Sequence, residues 1–300
     1  MEPNFPIPFV KMSGTGNDFI LIDHREPLLA GVDLAAFARA VCERKFSAGA
    51  DGLILIEESE EEGVDFRWQF FNGDGSRAEM CGNGARCAAR FAHSRAIAPA
   101  RMRFRTAAGV IEAAIDPETV ATGAVRIRLT VPTAIALDEK ISITATGPET
   151  TVHSVNTGVP HAVLLVENVA AAPVVEWGRA IRFHDRFQPA GTNVNFVRLL
   201  GPDRLRVRTY ERGVEDETMA CGTGAVAAAL VAALLGLVKS PVRVVTSGHE
   251  ELTIHFTMGG ASGREIDAVY LEGPANFIYE GRLHREALRG MGKDRLTAIG

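Results

Sequence analysis

Hydrophobic positions along the chain fall into short strand-like runs and longer stretches with helical spacing. Apolar runs of four residues occur at 19–22, 53–56 and 163–166, and each follows a stretch that contains glycine. Runs of this length between turns are typical of buried strands. Helical spacing appears over residues 33–46, with Asp33 placed to cap the N-terminus. The pattern predicts a chain that mixes strands and helices, with a glycine-rich turn over residues 12–18.

One short motif occurs twice. The segments Cys81-Gly82-Asn83-Gly84-Ala85 and Cys221-Gly222-Thr223-Gly224-Ala225 share the form Cys-Gly-x-Gly-Ala, and each opens a run of small apolar residues. Glycines let backbone N–H groups approach a ligand closely. A helix that begins at such a motif offers unpaired N–H groups and partial positive charge to an anion, and the same field lowers the pKa of a thiol. The two motifs predict two reactive thiols that handle one small anionic ligand.

The cysteine motifs belong to a longer repeat. Four landmarks recur in the same order in the second half: Gly14 and Gly158, Gly49 and Gly191, Cys81 and Cys221, and Thr106 and Thr246. Their separations are 144, 142, 140 and 140 residues. This nearly constant spacing predicts two structurally similar lobes. We place the lobes at residues 1–128 and 129–271, and we expect residues 272–300 to pack back on the first lobe.

Composition excludes several classes of protein. The 300 residues are 46% hydrophobic and 23% charged, which suits a globular chain with a sizeable core. A net charge of −5 without a basic patch argues against nucleic acid or an anionic membrane as partner. The N-terminus lacks the features of a signal peptide, and the most apolar run, 225–238, is too short to span a bilayer. With only four cysteines, we expect reduced thiols in the cytoplasm.

Two thiols from related lobes suit one operation on a carbon atom. A thiolate removes a proton from one face, and the second thiol returns a proton to the other face, which inverts the stereocentre. The reference pKa of a thiol, about 8.5, allows both forms near neutral pH. Two helix N-termini in a cleft between the lobes would stabilise the charge that develops on an adjacent carboxylate. The chemistry predicts an isomerase that needs no metal, haem or flavin.

The residues around both motifs resemble those of the diaminopimelate epimerases. The similarity rests on residues 12–19, 72–76, 81–87, 160–161, 211–213 and 220–224, and it runs from about residue 9 to residue 281. It implies an α+β fold of two pseudo-symmetric lobes, each a curled mixed or antiparallel sheet wrapped around a central helix that starts at the cysteine. It also implies an enzyme independent of pyridoxal phosphate that interconverts L,L-2,6-diaminopimelate and meso-diaminopimelate. The implied setting is lysine and peptidoglycan precursor biosynthesis, and the implied assembly is a homodimer.

The resemblance also assigns roles to individual residues. Cys81 and Cys221 become the catalytic acid–base pair. Four residues at the motifs would hold the reacting carboxylate: Gly82, Asn83, Gly222 and Thr223. The remaining substrate contacts fall on Asn17, Asn72, His161, Asn193, Glu211 and Arg212. A guanidinium such as Arg212 suits a bidentate grip on the distal carboxylate. His161 and Glu211 would orient the reacting amino group or balance the charge around the thiolates.

Three features depart from the pattern of the family. Gly52 follows Asp51 where many members have glutamine, and Val159 precedes Pro160 where many have asparagine. The segment between Arg212 and Cys221 is one residue longer than in the enterobacterial type. The first two departures affect contacts with the distal end of the substrate. They leave the thiol pair and the carboxylate site untouched.

Other functions remain as alternatives. A proline or hydroxyproline racemase of the same fold would not need the polar distal site. A zinc site at Cys81, Cys87 and His93 lacks the usual ligand spacing, and a thiol oxidoreductase lacks a Cys-x-x-Cys motif. A non-catalytic protein that binds amino acids on an inactive enzyme scaffold is disfavoured because both cysteines are intact.

Several residues fit a purely structural interpretation. Cys42 and Cys87 are expected to be ordinary buried helix residues. Arg86 and Arg90, one helical turn apart, favour structural or interface roles. The acidic runs 57–62 and 215–217 are expected to be exposed loops, and the tail 284–300 is expected to be loosely ordered.

Overall fold

The apolar runs of both halves form strands in two compact units. The structure, a computed structural model, describes residues 5–116, 122–143, 149–260 and 265–288. Unit 1 comprises Met1–Ile127 and Pro274–Gly300, and unit 2 comprises Arg128–Gly273. Among the described residues, no helix has the length and apolar character needed to cross a membrane.

Unit 1 contains two helices and most of its strands come from the first half of the chain. Its helices are α1 (Leu34–Cys42) and α2 (Gly82–Ser94). Its strands are β1 (Ile7–Gly14), β2 (Asn17–Asp23), β3 (Gly52–Glu57), β4 (Phe66–Asn72), β5 (Arg101–Thr106), β6 (Gly109–Ala114), β7 (Ala124–Leu129), which runs across the boundary, and β17 (Asn276–Leu283).

Unit 2 repeats this composition. Its helices are α3 (Val174–Arg182) and α4 (Gly222–Leu234). Its strands are β8 (Thr133–Ser142), β9 (Glu149–Asn156), β10 (Pro160–Leu165), β11 (Asn193–Gly201), β12 (Arg204–Glu211), β13 (Asp216–Thr218), β14 (Val242–Val245), β15 (Glu251–Gly259) and β16 (Glu265–Pro274).

The strands of unit 1 form a mixed sheet. β1 lies antiparallel to both β2 and β17, and β2 runs parallel to β3. β3 and β4 are antiparallel, β4 and β5 are parallel, and β5, β6 and β7 form antiparallel pairs. The predicted turn at 12–18 shrinks to Thr15 and Gly16, whose φ angles are 56° and 79°. Two positive φ values match the tight turns that keep the twist of a hairpin, so the neighbouring residues continue the strands.

Both faces of this sheet are covered. Ile20, Leu53 and Leu55 belong to the core cluster that packs around α1. The alternate residues Phe19 and Ile54 point the other way, and their side chains lie within 3.6 Å of where a Cβ on Gly84 of α2 would stand. Alternation along a strand sends successive side chains to opposite faces. Coverage on both faces explains why these strands read as continuous apolar runs rather than alternating ones.

Unit 2 has a mixed sheet of the same kind. β9 is antiparallel to β8 and β10, β10 is parallel to β11, and β11 is antiparallel to β12. β12 pairs with β13 and β14, and β14, β15 and β16 follow as antiparallel pairs. Residues 224–232 of α4 are all buried, which explains why the predicted apolar helix shows no polar face. The predicted α+β fold class is confirmed.

Some local predictions were wrong. α1 does have Asp33 as its N-cap, but it ends at Cys42, and Phe46 is 56% exposed. In the acidic run 57–62, Glu57 is the buried last residue of β3, where it accepts a hydrogen bond from Gln69. Asp216 and Glu217 form part of β13 rather than a loop. Residues 289–300 of the predicted loose tail lie outside the described residues, whereas Leu288 is buried in the core of unit 1.

Candidate active site

Both motif cysteines are the N-cap residues of the buried central helices. Cys81 precedes α2 with φ −144° and ψ 122°, and Cys221 precedes α4 with φ −122° and ψ 108°. Neither cysteine side chain caps its own helix. The first helical bonds run to the carbonyls of Cys81 and Cys221 from residues four positions later, over 2.8 and 2.9 Å. The earlier N–H groups of each helix therefore have no intrahelical acceptor, and they form an anion site beside a thiol in each unit.

Asn17 links Cys81 to the first hairpin. The Cys81 thiol lies 3.6 Å from Oδ1 of Asn17, to which it donates. The Asn17 amide nitrogen in turn donates to Asp51 over 2.7 Å. Because the Asp51 carboxylate accepts from the amide nitrogen, the carbonyl end of Asn17 is the end that faces the sulfur. The predicted site residues Asn17 and Cys81 are thus adjacent.

A charged network fixes the Asp51 loop. Arg44 donates to Asp18 and Asp51 over 2.6 and 2.9 Å, and the Lys11 ammonium lies 2.8 Å from Asp18. Lys11 also donates to the carbonyl of Gly49. Burial alone would raise the pKa of Asp18, but hydrogen bonds from Arg44 and Lys11 outweigh it and lower that pKa. The loop that orients Asn17 is therefore held in part by the ionised carboxylate of Asp18.

Arg86 holds the first residues of α2 through hydrogen bonds from the protein interior. Its side chain is fully buried and donates to Oδ1 of Asn83 over 2.8 Å and to the Thr15 hydroxyl over 2.5 Å. It also donates to the carbonyls of Gly82 and Pro274, each over 3.3 Å. A bond to Oδ1 leaves the amide nitrogen of Asn83 as the donor offered to a ligand. Arg86 therefore has the structural role that the sequence favoured, in direct contact with two predicted carboxylate-binding residues.

Asn72 sits at the end of β4, in the same part of unit 1. Its amide nitrogen donates to the Ser76 hydroxyl over 2.9 Å, and its backbone N–H donates to the Ser76 carbonyl. The next residue, Gly73, donates to the carbonyl of Asp51 over 2.7 Å. Asn72 is therefore joined to the loop that carries Asp51.

Cys221 has a different polar neighbour. Its sulfur lies 3.5 Å from the hydroxyl of Thr223, and the carbonyl of Thr223 accepts from Thr157 over 3.2 Å. A cavity of about 10 Å³ lies beside the sulfur, lined among others by Thr209, Thr218 and Cys221. That volume is close to what one water molecule requires. The hydroxyl at Thr223 can donate to a thiolate, whereas the carbonyl end of Asn17 beside Cys81 accepts from a thiol.

Glu211 lies at the end of β12 and is held by β13. The Thr218 hydroxyl donates to its carboxylate over 2.9 Å. Burial raises the pKa of Glu211, and the bond from Thr218 opposes that shift. A carboxyl with a raised pKa inside a candidate site is suited to proton-dependent binding.

Asn193 and Arg212 are bonded to each other. The backbone N–H of Arg212 donates to Oδ1 of Asn193 over 2.8 Å, and the Asn193 amide nitrogen donates to the carbonyl of Pro160 over 3.1 Å. The Arg212 guanidinium donates to the carbonyl of Ala190. The structure therefore joins the predicted residues Asn193 and Arg212, and the bond to Pro160 places them beside His161.

His161 is buried next to a residue that sequence reasoning missed. Its Nδ1 lies 3.1 Å from the amide nitrogen of Asn195, which is fully buried. Burial, reinforced by the charge of Arg212, lowers the pKa of His161 to about 3. The signal for Asn195 was present in the sequence, because residues two apart on a strand share a face and Asn193 had been identified.

Comparison with known proteins identifies the relatives of this chain. The model of the diaminopimelate epimerase family matches residues 9–128 and 153–278. A diaminopimelate epimerase of Aquifex aeolicus (strain VF5) is 48% identical over 288 residues, which cover 93% of this chain and 99% of the relative. The chain belongs to the diaminopimelate epimerase family.

Solved structures show that this family shares its fold with other proteins. A phenazine biosynthesis protein of the PhzF family from Bacillus anthracis matches with a TM-score of 0.68 at 14% identity, over 93% of this chain and 99% of the other. A hydroxyproline epimerase from Agrobacterium vitis, with bound trans-4-hydroxy-L-proline, matches with a TM-score of 0.65 at 15% identity, over 99% of both chains. At these identities the likeness establishes the fold alone.

One departure from the pattern of the diaminopimelate epimerases has a structural explanation. A Cβ on Gly52 would stand 2.7 Å from the Phe70 ring and 2.8 Å from the Phe71 carbonyl, so a side chain does not fit there unless these groups move. The segment between Arg212 and Cys221 contains the turn between β12 and β13. There Glu215 adopts φ 60° and accepts from Arg182 over 3.2 Å, so this turn is tied to the rest of unit 2.

The two remaining cysteines differ from the pair that the diaminopimelate epimerase motifs contain. Cys42 and Cys87 are buried in α1 and α2, and burial raises the pKa of each thiol to about 12. Thiols of this kind stay protonated and unreactive. Within the described ranges, no group of three histidine, cysteine or acidic side chains is arranged to hold a metal ion.

Proposed function

We propose that this chain is a diaminopimelate epimerase that interconverts L,L-2,6-diaminopimelate and meso-diaminopimelate. The observation that carries the proposal is the pair of cysteine N-caps, Cys81 and Cys221, each at a glycine-rich start of a buried helix. Membership of the family supplies the substrate. The product serves lysine and peptidoglycan precursor biosynthesis, and we infer a cytoplasmic location.

The proposed reaction has two proton transfers. One cysteine thiolate takes the α-proton, so that the C–H bond breaks and an S–H bond forms. The other cysteine thiol then gives its proton to the opposite face of the carbon. N–H groups at the helix starts stabilise the charge on the α-carboxylate between the two steps. No electron leaves or enters, so the sequence of steps needs no redox cofactor, and the two thiols account for both proton transfers.

The other predicted residues divide between the two ends of the substrate. Gly82, Asn83, Gly222 and Thr223 bind the reacting carboxylate. The amides of Asn17, Asn72 and Asn193 and the Arg212 guanidinium contact the remainder of the molecule, with Arg212 on the distal carboxylate. His161 and Glu211 act at the reacting amino acid group. In this proposal the functional lobes are residues 1–128, joined by 272–300, and residues 129–271.

A homodimer is part of the proposal. Three consecutive apolar residues of β17 are exposed: Phe277, Ile278 and Tyr279, by 37%, 55% and 45%. Adjacent exposed apolar side chains mark protein interaction sites. Light scattering at micromolar concentration should give the mass of a dimer. The Ile278→Asp variant should shift the measured mass toward that of a monomer. If the parent protein itself has the mass of a monomer, the proposed dimer is contradicted.

The decisive experiment is deuterium exchange in D₂O. Reduced protein incubated with L,L-diaminopimelate, without added pyridoxal phosphate, should form meso product that carries deuterium at the inverted α-carbon. Absence of both product and exchange would exclude the proposed function.

A proline or hydroxyproline racemase is the alternative, because a hydroxyproline epimerase shares the fold. Both cyclic substrates are therefore assayed beside diaminopimelate under the same conditions. Faster turnover of proline or hydroxyproline would assign the chain to that activity.

A further inference from the structure

His161 carries a buried nitrogen that nothing in the described part of the chain satisfies. The residue is 1% exposed, and its Nε2 has no hydrogen-bond partner there. A buried polar atom without a partner costs about 1–3 kcal/mol, so such atoms call for an explanation. His161 lies on β10, beside β11, on the face that carries Asn195.

The hydrogen bonds around Asn195 determine which His161 nitrogen carries the proton. The Asn195 amide nitrogen lies 2.9 Å from the carbonyl of Ala162, which can only accept. The other end of the amide, Oδ1, accepts from the Thr209 hydroxyl over 3.0 Å. The orientation of the amide is therefore fixed at both ends. Since the same amide nitrogen lies 3.1 Å from Nδ1 of His161, Nδ1 must be the acceptor.

We propose that Asn195 is a positioning residue that holds His161 as the neutral tautomer with its proton on Nε2, so that the site presents an N–H donor and not a base. The proposal rests on the proposed function, since the acceptor is taken to be the substrate. A second proton, on Nδ1, would point at the N–H group of Asn195, so two donors would face each other and the imidazolium would be destabilised. The positive charge of Arg212 further disfavours the imidazolium.

Asn195 is also packed against the start of α4. A Cβ on Gly224 would overlap Oδ1 of Asn195 and would lie 3.3 Å from the sulfur of Cys221. Glycine at this position therefore lets the amide and the thiol approach the same backbone atom. Thr209 lines the small cavity beside Cys221 as well. The series of hydrogen-bonded residues from Thr209 through Asn195 to His161 is thus close to the motif thiol of Cys221.

The tautomer decides which substrate group His161 serves. A neutral histidine with its proton on Nε2 donates one bond there and cannot accept from an ammonium group. It is therefore suited to an oxygen of the reacting carboxylate, where charge develops during proton removal. The α-ammonium group is left to Glu211, which accepts when ionised. Glu211 thus keeps the role at the amino group that the sequence offered to both residues, whereas His161 takes a role at the carboxylate that the sequence did not suggest.

Nitrogen NMR of the histidine-labelled enzyme tests the tautomer directly, without reference to activity. The signals of His161 are identified by their loss in the His161→Gln variant. We expect Nε2 as the protonated nitrogen and Nδ1 as the unprotonated one, unchanged from pH 8 to pH 5, consistent with the lowered pKa. A proton on Nδ1, or an imidazolium at neutral pH, would overturn the proposal even if the enzyme is a fully active epimerase.

The Asn195→Asp variant tests what the orientation does. A carboxylate at this position accepts from Nδ1, which moves the proton there and raises the pKa of His161. Nε2 then donates only in the imidazolium form, so epimerase activity should be retained at low pH and lost as pH rises through the new pKa. Asn168→Asp, the same change at an exposed residue of unit 2, should leave the pH profile of the parent enzyme. Matching profiles for both variants would contradict the proposal.

A second pair of variants, at Thr209, tests the proposal even if the Asn195 variant fails to fold. Thr209→Val keeps the shape of the side chain but removes the donor to Oδ1 of Asn195, and Thr209→Ser keeps the donor. We expect kcat to fall about 10- to 100-fold in the valine variant, by analogy with the loss that follows removal of a group that orients a metal-bound histidine. The serine variant should retain most of the activity and the parent tautomer. Equal kcat in both variants would show that the hydrogen bond from Thr209 to Asn195 does not influence His161.

Discussion

The Arg86 guanidinium donates to Oδ1 of Asn83 over 2.8 Å from a fully buried position behind the start of α2. This bond turns the amide nitrogen of Asn83 toward the ligand side of the helix start. A side chain in the interior of unit 1 thereby orients a residue that is proposed to bind the reacting carboxylate. The relationship can be tested, because the next turn of the same helix carries a second arginine that lacks this contact.

Arg86→Met should weaken both the fold and the binding of substrate. The change leaves buried acceptors such as the Thr15 hydroxyl without their donor, at a cost of roughly 2–4 kcal/mol in the free energy of unfolding. The loss of order at Asn83 should raise KM about tenfold, equivalent to ~1.4 kcal/mol. Urea unfolding and steady-state kinetics measure the two effects.

Arg90→Met is the matched control for this prediction. Arg90 donates to the carbonyl of Ala275 and lies over the ring of Phe277, so its loss should lower stability without a change in KM. An equal rise of KM in both variants would show that the effect of Arg86 is general to the helix.

Replacing either motif cysteine by alanine should abolish epimerisation while substrate still binds. A positioned acid or base contributes about 100- to 10,000-fold to the rate, so kcat should fall by at least that lower factor in both Cys81→Ala and Cys221→Ala. Calorimetry reports binding, and chiral chromatography reports turnover.

Cys42→Ala provides the comparison, because it removes a buried thiol whose pKa is raised to about 12. It should cost about 1 kcal/mol of stability and leave kcat unchanged. Full activity in both motif variants would exclude the two-base reaction.

The pH dependence of the enzyme should respond to Thr218. Its hydroxyl donates to the Glu211 carboxylate and opposes the rise in pKa that burial produces. Thr218→Val removes this bond, so the pKa of Glu211 should rise further. The acidic limb of kcat/KM, which follows ionisation of Glu211, should then move to higher pH.

Thr218→Ser retains the hydroxyl and should keep the acidic limb of the parent enzyme. The comparison separates the hydrogen bond from the packing of the side chain. An acidic limb that stays in place in the valine variant would assign it to another group.

A side chain at position 52 should destabilise unit 1. The Cβ of Gly52→Ala would stand 2.7 Å from the Phe70 ring and 2.8 Å from the Phe71 carbonyl. Overpacking of this kind costs about 1–3 kcal/mol, and Gly52→Gln should cost more. Urea unfolding at neutral pH measures the loss.

Gly201→Ala is the control for position 52. Its added Cβ would meet nothing closer than the Asp203 carboxylate at 4.0 Å, so the free energy of unfolding should change by less than about 0.5 kcal/mol. A Gly52→Gln variant as stable as the parent would show that Phe70 can move aside, and that glycine is not required there by the fold.

The sequence predicted the fold class and the family because the apolar runs and the duplicated cysteine motif are local patterns. The strands around Phe19 and Leu53 and the helix after Cys221 appear where the patterns placed them. The extent of α1 was overestimated because Glu43, Arg44 and Lys45 are good helix formers, yet the helix ends at Cys42 and Lys45 adopts a φ of 74°. The amphipathic helix α3 was missed altogether.

Polar residues were harder to predict because their partners come from distant parts of the chain. Glu57 looked like the start of an exposed acidic run, yet Gln69 of the neighbouring strand makes its burial possible. The orientation of the Asn195 amide depends on hydrogen bonds with Thr209 and Ala162, which lie on other strands. The periodicity of a single strand does not predict these contacts. Arg86 was correctly expected to be structural, but its contact with the Thr15 hydroxyl depends on the three-dimensional position of the hairpin.

The two halves of this chain have diverged in their interiors as well as around the thiols. Position 86 corresponds to Val226 at the repeat distance of 140 residues, and Val226 is as deeply buried in α4 as Arg86 is in α2. An exchange of the two helices would leave a gap beside the Thr15 hydroxyl in unit 1, and it would place a guanidinium in the apolar interior of unit 2. If the halves arose by duplication, recombination between them has become harmful. Designers of symmetric versions of this fold would have to rebuild both interiors, not only the residues around the thiols.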